Sequence, residues 1–131
     1  MNPLRIKIYY EDTDAGGVVY YANYLKYMER ARTEFLLDNG IDVAKYHENG
    51  FFFMVIHVNV DFKRPARLGD SIEVTTEIIE MTNVTITLRH HISKENTLSV
   101  EAYVKVACIN KDGKPQRLPE EFRKLETHVH L

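Results

Sequence analysis

One helical stripe followed by four alternating apolar runs is the pattern that most limits what this chain can fold into. Tyr24, Met28, Ala31 and Phe35 recur at helical spacing, Leu25 and Leu36 widen the stripe, and Lys26, Arg30, Glu34 and Asp38 lie elsewhere around it. That spacing predicts an amphipathic helix from about Ala22 to Asn39, roughly five turns long, with Gly40 as its stop and Arg30 and Glu34 spaced for a weak surface pair.

Beyond the polar stretch 45–50, the apolar run Phe51 to Ile56 passes into alternation. Ile56, Val58, Val60 and Phe62 are opposed by His57, Asn59 and Asp61, and Pro65 ends the strand. Three more runs follow: Ile72, Val74 and Ile78; Val84, Ile86, Leu88 and Ile92; then Leu98 through Cys108. The turns between them, Thr82-Asn83 and Lys94-Glu95-Asn96, are short enough for antiparallel hairpins, so a meander is expected. Before the helix, Ile6, Ile8 and Tyr10 alternate with Arg5, Lys7 and Tyr9, predicting a strand that runs into Glu11 and Asp12. Pro119-Glu120-Glu121 reads as the start of a short terminal helix. The expected class is α+β, one domain over 1–131, with an antiparallel sheet of about five strands curled around one long helix. A single helix covers one sheet face and leaves the other partly bare, and with six Phe and eight Tyr in the chain, dimerisation through the sheet is expected.

Composition excludes several functions. Seventeen Lys and Arg against nineteen Asp and Glu leave a formal charge of -2, without the electrostatic footprint of a nucleic-acid binder. Cys108 is the single cysteine, the N-terminus lacks a signal-like apolar run, and no stretch approaches the roughly 20 apolar residues of a membrane span. The expectation is a cytoplasmic protein without stable membrane insertion.

Chemistry concentrates between the first strand and the helix, in Tyr10-Glu11-Asp12-Thr13-Asp14-Ala15-Gly16-Gly17-Val18-Val19-Tyr20-Tyr21-Ala22-Asn23-Tyr24. Gly16 and Gly17 let backbone approach a ligand, and a helix start offers unpaired N–H groups with partial positive charge. A nearby carboxylate adds a group able to activate or replace water, so Asp14 and the backbone of residues 21–23 form a candidate hydrolytic site. Acidic residues in such loops also serve as caps or solvated charges.

The run from Asp12 to Tyr20, then Asn23-Tyr24, Glu29-Arg30-Ala31-Arg32 and Pro65-Ala66-Arg67-Leu68-Gly69-Asp70, together resemble the signature of hotdog-fold acyl-CoA thioesterases. More narrowly, they are similar to the 4-hydroxybenzoyl-CoA thioesterase family and its branch associated with the Tol-Pal system. The resemblance implies a hotdog fold, hydrolysis of acyl-CoA to a carboxylic acid and free coenzyme A, no cofactor or metal, and a homodimer or a homotetramer built as a dimer of dimers. It maps the catalytic acid onto Asp14, as nucleophile or general base, and the oxyanion donor onto the backbone N–H near Tyr21. Gly16, Gly17 and Tyr24 become substrate-binding candidates. Lys63, Arg64 and Arg67 become candidates for the phosphates of coenzyme A, against the alternative of a solvated strand end. The branch commonly has histidine where this chain has Tyr21. A tyrosine with its ordinary pKa near 10 is a poor neutral-pH base, so Tyr21 is read as shaping the acyl pocket.

Asp12 is the rival acid, favoured as a loop cap; were the strand extended here, it and Asp14 would share a face. Glu29, beside Arg30 and Arg32, suits an ion pair or interface. His90 and His91 should face opposite ways, His57 sits in a polar phase, and His128 and His130 lie in the tail; none forms a convincing zinc set. Cys108 reads as a small core residue. Alternative functions are a non-catalytic hotdog module binding acyl-CoA or a protein and, less favoured, a hotdog dehydratase, which would need a histidine that 1–46 lacks.

Overall fold

The computed structural model describes residues 3–125. Its elements run β1 (Leu4–Lys7), a 3-10 turn (Tyr10–Asp12), α1 (Asn23–Asp38), α2 (Val43–Glu48), β2 (Phe52–Phe62), β3 (Ser71–Met81), β4 (Thr85–Lys94), β5 (Thr97–Ile109) and a second 3-10 turn (Glu120–Lys124). All five strands form one antiparallel sheet in the order β1-β3-β4-β5-β2. The meander β3-β4-β5 is its centre, and α1 lies on one face. This is the α+β arrangement expected of the alternating runs.

Alternation builds the sheet, and bulges correct its phase. In β2 the register shifts between Val55 and His57, leaving Ile56 as the extra residue. Phe53 and Val55 before the bulge, and Val58, Val60 and Phe62 after it, therefore oppose the inward-facing Cys108, Val106, Val104, Ala102 and Val100 of β5. The unbroken apolar run at residues 51–56 is explained by that switch. The β4–β5 turn is a two-residue hairpin with Glu95 and Asn96 both at positive φ, the conformation in which the turn's twist matches that of its strands.

The core has two halves under α1. Ile8, Tyr24, Tyr27, Met28, Ala31, Ile72, Val74 and Ile92 pack near the helix start, while Leu36, Ile78, Leu88, Val104, Cys108 and Phe122 pack near its end. The sheet's other face is polar and carries the ion pairs Glu77–Arg89 at 2.9 Å and His91–Glu101 at 2.7 Å. His90 is fully buried against α1, so the two adjacent histidines do face opposite ways. Cys108 is buried, and its thiol pKa is raised by burial.

Three readings need correction or completion. The first strand ends at Lys7, and Tyr10, expected to point inward, is 82% exposed in a 3-10 turn. The stretch 45–50, read only as polar with no element assigned, overlaps a helix: Val43–Glu48 form α2, with Asp42 Oδ1 accepting from the N–H groups of Ala44 and Lys45. Arg30 and Glu34 are not closed into an ion pair among the described residues, where four such pairs occur. His128 and His130 lie outside the described residues.

Candidate active site

The segment joining β1 to α1 folds as a compact hairpin on the sheet end where β2 finishes and β3 begins. Thr13 and Val19 form an antiparallel bridge, Asp14 N–H donates to Val18 O at 2.9 Å, and Gly17 N–H donates back to Asp14 O at 3.0 Å. Asp14 thus stands at an exposed tip. Its Oδ1 accepts Gly16 N–H at 2.8 Å, and Oδ2 accepts nothing among the described residues. Gly16 leaves room for that carboxylate, since a Cβ there would come within 3.3 Å of Oδ1, and Gly17 has a φ of +76° that side chains rarely adopt.

The neighbouring acid has a different role. Asp12 Oδ2 accepts Tyr9 N–H at 2.8 Å and closes the 3-10 turn, so Asp12 and Asp14 do not share the face of an extended strand. The buried Tyr27 hydroxyl has no hydrogen-bond partner among the described residues; burial, and then the charge of Asp12, raise its pKa. Asp12 is the loop cap that the residue pattern favoured. Glu29 is exposed on α1.

The helix start offers donors. Ala22 sits at the N-cap in helical conformation without a side-chain cap, and the amides of Asn23, Tyr24 and Leu25 already donate to the carbonyls of Tyr20, Tyr21 and Ala22. Tyr21 and Ala22 N–H make no hydrogen bond among the described residues. Around them stand aromatic rings: Tyr21, 63% exposed, has its centroid 5.0 Å from Tyr20 and 6.4 Å from Phe62.

Of the two expectations for Tyr24, the buried helical stripe and the substrate contact, the structure supports the first. It is 3% exposed, and its hydroxyl accepts the N–H of fully buried Ala66 at 3.0 Å. Burial, outweighing the Ala66 bond, raises its phenol pKa. Tyr24 instead ties α1 to the β2–β3 connection, 63–70. That connection is zipped to the acidic hairpin: Val19 N–H donates to Ala66 O at 2.8 Å, Leu68 N–H to Gly17 O at 3.0 Å, and Val18 bridges Arg67.

The basic stretch is therefore divided. Arg67 lies beside the hairpin, with its amide held by Asp70 Oδ2 at 2.8 Å. Asp70 in turn pairs with Lys94 at 2.8 Å; burial would raise its pKa, but Lys94 and the Arg67 amide outweigh it and hold the carboxyl below its ordinary range. Lys63 and Arg64 start the connection, where a bulge at Ser99 turns one carbonyl to both of their amides, at 2.8 and 3.1 Å. Arg64 Nη1 donates to Leu98 O at 3.2 Å, on the β4–β5 hairpin side rather than toward Asp14.

His57 is exposed on β2. Among the described residues, no three His, Cys, Asp or Glu side chains are grouped to hold a metal ion, and no helix is long and apolar enough to cross a membrane. Residue patterns included Asn23 through its backbone and in the Asn23-Tyr24 motif, but not its side chain: Nδ2 donates to Asp12 O at 2.9 Å, across the base of the hairpin.

Residues 9–125 match the thioesterase-like superfamily. The chain belongs to that superfamily, and its fold is the hotdog. Its relatives include the acyl-CoA thioester hydrolase YbgC of Escherichia coli O6:H1, 41% identical over 119 residues and 89% of each chain. The acyl-CoA thioesterase YbgC of Haemophilus influenzae is 37% identical over 126 residues, 95% of this chain and 93% of its own. A probable thioesterase from Bartonella henselae superposes with a TM-score of 0.84 at 36% identity, over 89% of this chain and 98% of that one.

Proposed function

We propose that this protein hydrolyses acyl-CoA thioesters to a carboxylic acid and free coenzyme A. The observation that carries the reading is the joining of two complementary parts. Asp14, whose Oδ2 accepts no hydrogen bond among the described residues, stands on a hairpin hydrogen-bonded to the helix start, where the Tyr21 and Ala22 N–H groups are likewise unbonded among the described residues. Relatives named as acyl-CoA thioester hydrolases support the substrate class.

The thioester carbonyl is placed with its oxygen toward Tyr21 N–H, where backbone donors and the positive end of α1 favour developing negative charge. Asp14 acts in one of two ways. As general base it takes a proton from water, and the resulting hydroxide adds to the carbonyl; collapse then expels coenzyme A as thiolate, which takes up a proton. As nucleophile it forms an anhydride with the acyl group while thiolate leaves, and water hydrolyses the anhydride. Tyr21 and Phe62 flank the acyl group. Arg67, beside the hairpin, is the cation best placed for a coenzyme A phosphate, with Lys63 as second and Arg64 partly occupied by Leu98 O.

A second copy completes the site. β2 is an edge strand, and Met54, Val55, Ile56, Val58 and Phe62 are exposed along it on both faces. A long apolar edge is a template for pairing, and two β2 strands meeting antiparallel about a two-fold axis cover it and extend the sheet. Phe62 contacts Tyr21 at the end of that edge, so the partner borders the acyl site. Two such dimers form the tetramer.

Free-thiol release from a panel of short, long and aromatic acyl-CoAs tests the reading. Asp14→Asn is expected to lower kcat by at least about 100-fold while thioester binding persists. Wild-type turnover in that variant removes Asp14 from the mechanism. Binding without thiol release by the unaltered protein would favour a non-catalytic module.

A further inference from the structure

One carbonyl in the hairpin base accepts two hydrogen bonds, from the two ends of the same four-residue stretch. Asp12 O receives Tyr20 N–H at 3.0 Å and Asn23 Nδ2 at 2.9 Å. Tyr20 O in turn accepts Asn23 N–H at 2.8 Å. The stretch is closed on a single acceptor, and the residues inside the closure are Tyr21 and Ala22, whose N–H groups are unbonded among the described residues.

The bonding of Asn23 is not that of a helix cap. Asn at the N-cap accepts from the helix's own amides and contributes about 1 kcal/mol over Ala there. Here Ala22 holds the cap position without a side-chain bond, and Asn23, one residue later, turns its amide nitrogen outward as a donor. The helix start forgoes a good cap, and the hairpin gains a bond. On the acceptor's side, Asp12 is set by its own turn through Tyr9 N–H, and Asp14 follows after two peptide units, fixed by Val18 O. The Asp12 carbonyl is thus the fixed point shared by the acid and the unbonded amides.

We propose that Asn23 is a positioning residue for thioester hydrolysis: its carboxamide holds the Tyr21 and Ala22 N–H groups in register with Asp14. This rests on the reading of Asp14 and the helix start as the reacting centre. Asn23 contributes nothing to the cations on the 63–70 connection, and it is half-buried rather than presented to solvent. Its loss should slow the chemical step and leave substrate binding alone, because donor misplacement on the ångström scale costs up to about 100-fold in rate.

Asn23→Ala and Asn23→Ser, which lose the long donor without adding charge, are compared with Asp14→Asn by thiol release from the best acyl-CoA of the panel, with thermal melting alongside. The expected result is a 10- to 100-fold fall in kcat with KM within about twofold in both Asn23 variants, and melting temperatures near that of the unaltered protein. If Asp14→Asn is inactive and either folded Asn23 variant keeps kcat within twofold, the positioning role alone is overturned. If kcat falls only in step with a large loss of melting temperature, or KM rises as much as kcat falls, the role is structural or in binding and the proposal is likewise overturned. Turnover by Asp14→Asn at the wild-type rate overturns the reading of the site and this proposal with it.

Discussion

Acid should destabilise this protein through His90. The imidazole is fully buried between β4 and α1, its Nδ1 sits 3.1 Å from Thr76 Oγ1, and its Nε2 has no partner among the described residues. Burial lowers its pKa from 6.5 to about 3, helped by the Arg32 charge and opposed by a bond with the Thr75 backbone. The fold therefore holds the neutral ring, while the unfolded chain binds a proton near pH 6.5. Stability associated with His90 is complete above that value and is lost as pH falls from about 6.5 toward 3. Within the window each pH unit removes about 1.4 kcal/mol, so the step from pH 7 to pH 5 costs about 2 kcal/mol, a result that depends little on the lower limit. Urea unfolding at pH 7, 6 and 5, at fixed protein concentration because assembly shifts apparent stability, measures it. His90→Gln keeps a polar atom for Thr76 without the titration, so the gap between its stability and that of the unaltered protein should shift by about 2 kcal/mol across the series. Parallel pH dependences would refute a neutral buried His90.

Three further outcomes bear on the site. Tyr24→Phe removes the acceptor of the buried Ala66 N–H and should destabilise by about 1–3 kcal/mol in urea; an unchanged midpoint would mean that Ala66 finds another acceptor. Gly17→Ala adds a Cβ in open space at a φ of +76°, so its cost is backbone strain alone, about 1–2 kcal/mol, with slower thiol release from a distorted Asp14 hairpin. A variant as stable and active as the parent would argue that the hairpin does not need its present shape. Ile56→Lys places charge on the exposed β2 edge and should shift sedimentation toward monomer while lowering activity at least tenfold. Retention of the parent assembly would move the interface elsewhere.

Residue spacing made much of the architecture legible. The stripe Tyr24, Met28, Ala31 and Phe35 defined a helix whose ends lie within one residue of those expected, because an apolar face at helical spacing has one way to be buried. The meander was readable for the same reason at period two. The Tyr10 error came from extending that period past Lys7, where the Asp12 carboxylate and Tyr9 amide favour a local turn over pairing. Helix α2 escaped because six residues are too few to show a stripe, and its stability comes from the Asp42 cap and from packing. The resemblance nominated Tyr24 for substrate while the helical stripe placed it in the core; its phenol bonds an amide 42 residues away.

The order of acid, glycine pair and helix start is a property of the sequence by itself. So are the alternation that makes a sheet and the single helix that leaves that sheet partly uncovered. These are local or periodic facts, written in neighbouring residues. Tertiary structure decided which part of the basic stretch joins the acidic hairpin, since Arg67 bridges Val18 while Arg64 bonds Leu98. It also placed β2 at the edge and converged two donors on the Asp12 carbonyl. The first two depend on where segments distant in the chain cross, and the third on how one loop closes on itself; a hydrogen bond of either kind has no period for a sequence to display.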